Sequence, residues 1–240
     1  MFHLKILSTN THPNLAAIKS TLATNPQRHF TAQLNGYNFD DSNIKLLIRK
    51  KCGICIKNED NLDEDKIQEY INLGKETIVL NPKDFSEVEL ENHLQKGASV
   101  VVGRADGFDV FQIKKLVVKG KEKVFVLGGQ LLESHLKDYL VSKGCVLLKH
   151  KDLDPRTISK LLPDGEDRIY IQSGGFSNFR INKFLDGKAN VIFGKGNQLT
   201  TDRIKEKVEK YKSQIRIEST HPTFDTVWVK EMEKIGAIII

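Results

Sequence analysis

The stretch 190–204, NVIFGKGNQLTTDRI, ends an apolar run in Gly194-Lys195-Gly196 and enters a polar turn before a helical pattern. Strand, glycine turn and helix start together make a phosphate cradle, because backbone N–H groups at a helix N-terminus converge on an anion. Neither GxxxxGK[ST] nor GxGxxG occurs, however, so the motif is incomplete. Gly103, Gly128, Gly129, Gly174 and Gly175 also follow apolar runs. Cys52-x-x-Cys55 has the spacing of half a zinc site or of a redox pair. Zinc needs two further ligands, yet no second CxxC or HxxxH follows, and Cys145 is distant in sequence. A thioredoxin-type pair opens a helix, whereas this one enters an apolar run. The histidines His3, His12, His29, His93, His135, His150 and His221 are scattered, and there is no GxSxG elbow. Asp60, Asp84, Asp106 and Asp152 recur in turns, where carboxylates are expected to cap the following helices. No catalytic residue, cofactor or metal site is predicted.

The elements that must position these residues follow from a repeat. Short apolar runs recur along the chain, and their last residues are Ile56, Leu80, Val102, Val126, Leu148, Ile171, Phe193 and Ile217, with Ile239 or Ile240 as a final anchor. The steps from Ile56 to Ile217 are 24, 22, 24, 22, 23, 22 and 24 residues. Five or six residues after each anchor comes a Leu or Phe plug: Leu62, Phe85, Phe108, Leu131, Leu153, Phe176 and Leu199. Two more apolar residues follow at i, i+4 spacing, as in Ile67/Ile71, Leu90/Leu94, Ile113/Val117 and Leu136/Leu140, which places them on one helix face. The rule extends backwards to Leu34, Phe39, Ile44 and Ile48, and more loosely to Ile6, Ile18 and Leu22. About ten units of strand, turn, plug and helix are predicted, with no linker. The expectation is one α/β domain over residues 1–240.

A unit of this length cannot bury its own apolar face, so neighbouring units must stack. "FGKGNQLTTDRIKEKV" (193–208) and "VFVLGGQLLESHLKDYL" (124–140) resemble leucine-rich repeats, which have a strand, a plug and a convex helix in 20–29 residues. The resemblance implies a right-handed solenoid, a horseshoe with a strand-lined concave face. The family's Asn or Cys three residues after the anchor is replaced here by Glu59, Lys83, Ala105, Gly129, Lys151, Gly174, Gly196 and Thr220. The turn amides must therefore find other partners. Against this stands a doubly wound or barrel fold. Runs such as VVV, VFV and VLL are apolar at every position, which is the pattern of a parallel sheet covered on both faces.

In the solenoid the residue before each anchor faces the concave side. The expected partner-binding stripe is Val79, Val101, Phe125, Leu147, Tyr170, Ile192 and Arg216, with Cys55 at its start and Lys57, Lys149 and Gln172 beside it. An exposed apolar stripe flanked by polar residues is the anatomy of a protein interface. The expected function is a non-enzymatic protein–protein interaction module. As the resemblance implies, it would act as an adaptor or as an effector delivered by a pathogen into a host cell, with a homodimer contact at an open solenoid end. The alternative is a small-molecule or nucleotide-phosphate-binding protein or enzyme with its ligand at the glycine turns, where doubly wound folds bind theirs.

Composition agrees with a folded chain: apolar residues make up 39% and charged residues 28%. The net charge of +6 is spread among 31 acidic residues and reads as solvated faces. Lys149, Lys151, Arg156, Lys195, Arg203 and Lys205 would form a basic edge, but the aromatic interleaving of single-strand binders is missing. Three cysteines, no long apolar run and no secretory leader pattern lead to the expectation of a cytoplasmic protein.

Overall fold

The computed structural model describes residues 31–33, 40–57, 60, 62–194, 196–219 and 221–240. The repeat positions expected at Ile6, Ile18, Leu22, Leu34 and Phe39 lie outside them. The chain is an α/β protein in which parallel strands alternate with helices. The strands are β1 (Thr31–Gln33), β2 (Gly53–Ile56), β3 (Ile78–Leu80), β4 (Ser99–Val102), β5 (Val124–Leu127), β6 (Cys145–Leu148), β7 (Ile169–Gln172), β8 (Asn190–Phe193), β9 (Ile215–Ile217) and β10 (Ile238–Ile239). The helices are α1 (Asp41–Arg49), α2 (Glu64–Gly74), α3 (Glu87–Lys96), α4 (Val110–Gly120), α5 (Glu133–Val141), α6 (Pro155–Gly165), α7 (Asn178–Asp186), α8 (Thr201–Tyr211) and α9 (Thr226–Ile235).

Two compact units share these elements. The first comprises residues up to Val102 with Phe111–Phe125 and Ile240, and the second Gly103–Val110 with Val126–Ile239. The division cuts through a turn and through β5 and follows no break in the repeat. In the first unit β1 to β5 lie side by side in chain order, and in the second the end of β5 is followed by β6 to β10 in chain order. Pairing is parallel wherever the register is defined, for example Cys55 with Val79, Leu147 with Tyr170 and Ile192 with Arg216.

The helix faces form as their spacing requires. Ile67/Ile71, Leu90/Leu94, Ile113/Val117, Leu136/Leu140, Ile158/Leu162, Ile181/Leu185 and Ile204/Val208 are all buried. Seven of the nine described helices start where a side-chain oxygen satisfies the first free N–H groups, while α5 starts at Leu132 with no side-chain cap. Asp40, Asp63, Ser86, Asp154, Ser177, Thr200 and Asp225 are those N-caps.

The step lengths hide a second rhythm. The helices alternate between a long form of 11 residues (α2, α4, α6, α8) and a short form of 9 or 10 (α1, α3, α5, α7, α9). Each long helix runs into a single 3₁₀ turn, at Lys75–Thr77, Lys121–Lys123, Glu166–Arg168 and Lys212–Gln214. Within each unit the two kinds of junction use different bonds. Lys123, Arg168 and Gln214 in the 3₁₀ turns reach back to Leu94, Leu140 and Leu185 carbonyls of the preceding short helices. Ser99 and Asn190, which open strands after short helices, instead reach back to the carbonyls of Glu76 and Asp167 in the preceding 3₁₀ turns.

One buried group links stability to pH. His93 on α3 is 1% exposed, its Nε2 lies 3.4 Å from Glu64 Oε2, and neither ring nitrogen has a hydrogen-bond partner. Burial depresses its pKa, while Glu64 and Glu89 pull it up and Lys96 pushes it down further. The unfolded chain then takes the proton first. The stability is complete above the ordinary imidazole value of about 6.5 and is lost as pH falls from there through the lower folded-state value. The urea midpoint of the wild type is expected to drop between pH 7.5 and 5.5, and His93→Leu should flatten that slope.

Candidate functional site

The expected stripe is in place but closed. Both faces of the strands are buried. Ile54, Ile56, Ile78, Val100, Val126, Leu148, Ile171 and Phe193 are fully inside on one face. On the other, Val79, Phe125, Leu147, Tyr170, Ile192 and Arg216 are buried, while Cys55 and Val101 are half-buried. The expectation of an apolar row open to solvent is therefore corrected. The strands are apolar at every position because they have no wet face. Nor is the row straight. Val79 pairs with Ser99 and Tyr170 with Asn190, so the stripe steps by two residues at these junctions and keeps its face. Of its polar neighbours, Lys57 and Gln172 are half-buried and Lys149 is exposed.

The recurring aspartates also do something other than expected. Asp60, Asp106 and Asp152 each accept the backbone N–H three residues back, from Lys57, Gly103 and Lys149, all at 2.8 Å. Asp84 accepts from the side-chain amide of Asn81. They brace the turns after the strands and leave helix capping to other residues. They are also the partners that the turn amides lacked in the sequence. Gln130 stands where the next aspartate of this series would fall, and it holds a left-handed φ of 64°. A non-glycine residue there is strained, and such strain gathers at binding sites.

Around that irregular turn lies a pocket of about 180 Å³, lined by Gly103, Arg104, Ala105, Leu127, Gly129, Gln130, Leu147, Lys149 and Asp152. Every lining residue belongs to the second unit. The pocket sits at the turns after β4, β5 and β6. Its floor is Leu127 and Leu147, and Arg104 and Lys149 stand at its edge. Arg104 Nη1 is 3.4 Å from the Phe108 carbonyl. Glycine is required here by packing. A Cβ on Gly103 would come within 3.0 Å of Leu127 Cβ, and one on Gly128 within 3.3 Å of both Asp152 Oδ2 and the Leu147 carbonyl. Leu147 and Lys149 were expected to face a protein partner on the strand face, and Arg104 and Gln130 were not among the expected site residues. Their signal was the missing aspartate at 130.

The other candidates do not converge. A larger cleft of about 460 Å³ between α6 and α7 is lined by Leu162, Pro163, Glu166, Lys183, Asp186 and Lys188 among others. There Lys188 is already met by Glu166 at 3.9 Å. Cys52 and Cys145 are buried and not in disulfides, and burial pushes the Cys55 thiol up to about 11, far from a reactive thiolate. His150 packs on Phe176 and His221 on Phe224. Lys195 of the GKG turn lies outside the described residues. Of the basic edge, Lys205 is paired with Glu231 and Arg203 with Glu206. Among the described residues no cluster of three or more His, Cys, Asp or Glu has the geometry to hold a metal, and no helix is long and apolar enough to cross a membrane. No family model matches the chain, and no curated protein compared with it is significantly similar.

Proposed function

We propose that this chain is a small-ligand-binding α/β repeat protein, with its ligand in the pocket formed by the turns after β4, β5 and β6. The observation that carries the reading is the pairing of a glycine-shaped, strained turn with two cations, Arg104 and Lys149, at the carboxyl ends of parallel strands. Ligands bind at such strand ends because backbone N–H groups and helix N-termini point there. The volume suits a phosphate or sugar phosphate rather than a larger molecule. For the architecture, we favour solenoid winding over a doubly wound sheet. Strand order runs with the chain in each unit and never reverses, and the aspartate braces stand in for the asparagines of leucine-rich repeats.

A thermal-shift panel of sugar phosphates and nucleotides on the full chain tests this. A compound present at 100 times its Kd stabilises by about 2.7 kcal/mol, a rise of roughly 5–10 °C in Tm for a chain of this size. Arg104→Ala/Lys149→Ala should abolish the rise. A panel with no effect, or a double variant that responds equally, rejects the reading.

Binding of a protein partner, our second reading, moves from the strand face to the helix N-termini. The second residues of α3, α4, α7 and α9 are Val88, Phe111, Phe179 and Val227, all well exposed. Exposed apolar residues at one repeat position are unusual when nothing docks there. Phe179→Ser should leave the melting temperature unchanged and weaken any complex isolated with the full chain. An undiminished complex removes this reading.

A further inference from the structure

The last four helices, all in the second unit, carry a charge pattern that the fold does not need. The second and sixth residues of a helix lie one turn apart on one face. On α6 to α9 that face points to solvent, because every such residue is exposed. On α6 they are Arg156 and Lys160, and on α7 Phe179 and Lys183. On α8 they are Asp202 and Glu206, and on α9 Val227 and Glu231. Cations on two helices are thus followed by carboxylates on the next two, and each half adds one exposed apolar side chain. Phe179 is 61% exposed and Val227 79%.

The cations of this face are not used within the chain. At neighbouring seams Lys137 on α5 meets Asp164 on α6 at 3.5 Å, and Lys205 on α8 meets Glu231 on α9. Among the described residues Arg156, Lys160 and Lys183 form no ion pair, although Lys160 lies near enough to lower the Asp154 pKa. Lys183 rests instead 4.9 Å from the centre of the Phe179 ring, with Arg180 at 5.9 Å. An ammonium on a ring keeps its N–H donors for another acceptor. On the acidic half Asp202 forms no ion pair, though it helps raise the pKa of Lys205. Glu206 has only the exposed Arg203 at 3.8 Å, a weak pair.

The two halves are complementary to each other, and two copies can bring them together. Parallel strands make the helices run one way. A two-fold axis along the helices, between α7 and α8, sets α7 of one copy on α8 of the other and α6 on α9. Lys183 then faces Glu206 of the second copy, Lys160 faces its Glu231, and the symmetry repeats both pairs. Phe179 and Val227 flank these pairs and lose water. A nucleic acid would use the cationic half alone and meet like charge on α8 and α9.

We propose that this face closes a two-fold dimer of the chain. The proposal rests on the docking face of the second reading above and names its partner; the pocket at Arg104 and Lys149 takes no part. Sedimentation of the full chain from micromolar to millimolar concentration tests it. The wild type should pass from monomer to dimer and stop there. High salt should weaken the dimer about tenfold, because exposed pairs are screened. Lys183→Glu and Glu206→Lys should each raise the dissociation constant about tenfold or more, since each sets like charges opposite at two symmetric places. Mixed in equal amounts, the two variants should dimerise as the wild type does, because every facing pair is then opposite in sign. All these side chains are exposed, so the melting temperatures of the dilute variants should not change. A chain that stays monomeric at millimolar concentration overturns the proposal and leaves docking of another protein at Phe179 to its own test. Assembly beyond the dimer, single variants that dimerise as well as the wild type, or a mixture that does not recover also overturn it. If Phe179→Ser weakens the dimer and the charge variants do not, apolar docking stands and this two-fold arrangement falls.

Discussion

Phe125→Ala is expected to lower the unfolding free energy by about 3–5 kcal/mol, the cost of a fully buried phenylalanine together with the cavity it leaves. Phe125 sits in the middle of β5 and is 0% exposed. A domain of ordinary stability has about 5–15 kcal/mol in total, so the alanine variant should fold with a much lower urea midpoint. Phe125→Asp should not fold, since it adds an unpaired buried charge to the same cavity. The pair of variants also decides between the two views of the strand face. A Phe125→Asp protein that folded normally would mean that the residue is exposed in solution, and the stripe would regain its role as a docking surface.

Gly165→Val is expected to cost about 2–3 kcal/mol through overpacking. Gly165 ends α6, and a Cβ there would lie 2.5 Å from Ile169 Cδ1 and 3.0 Å from Leu140 Cδ2. The glycine lets the long helix close against both the helix before it and the strand after it. Gly74 and Gly120 hold the same position in their repeats, facing Ile48 with Ile78 and Leu94 with Val124. Gly107→Ala is the control. Gly107 has a φ of 94° and nothing within 4 Å of an added Cβ, so that change reads the backbone term alone, about 1 kcal/mol. A Gly165→Val loss no larger than that of Gly107→Ala would show that the helix end moves aside freely.

Much of the fold was legible because its signals are local and repeated. Anchors such as Ile56, Leu80, Val102 and Leu148 fall at strand ends, and the i, i+4 pairs are buried. Both follow from the period of a strand or a helix, which one unit shows by itself. The plug was read less well. Phe108, Leu131 and Phe176 are buried, but Leu62, Phe85, Leu153 and Leu199 are only half-buried. Whether the stripe faces solvent is not a local property. Phe125 and Tyr170 read identically as an exposed anchor or as core until the other side of the sheet is known. The aspartates were misjudged because capping and turn-bracing both place a carboxylate just after a strand. Only the hydrogen bonds of Asp106 to Gly103 and of Asp152 to Lys149 distinguish them. The pocket itself was not legible: Leu147 and Lys149 were read as a protein-facing stripe, and Arg104 and Gln130 stand out only through the break in the aspartate series.

The alternation of long and short units bears on how such a chain can change its length. Within each compact unit a long repeat grips the short one before it with a side chain from its 3₁₀ turn, as Arg168 does with Leu140. A short repeat grips the long one before it with the first residue of its strand, as Asn190 does with Asp167. Removing one repeat would bring two of the same kind together, and the new seam would match neither kind of junction described above. Removing or copying two leaves every seam matched. The heritable module is therefore a couplet of about 46 residues, and a genome that lengthens or shortens this protein by recombination should do so in couplets.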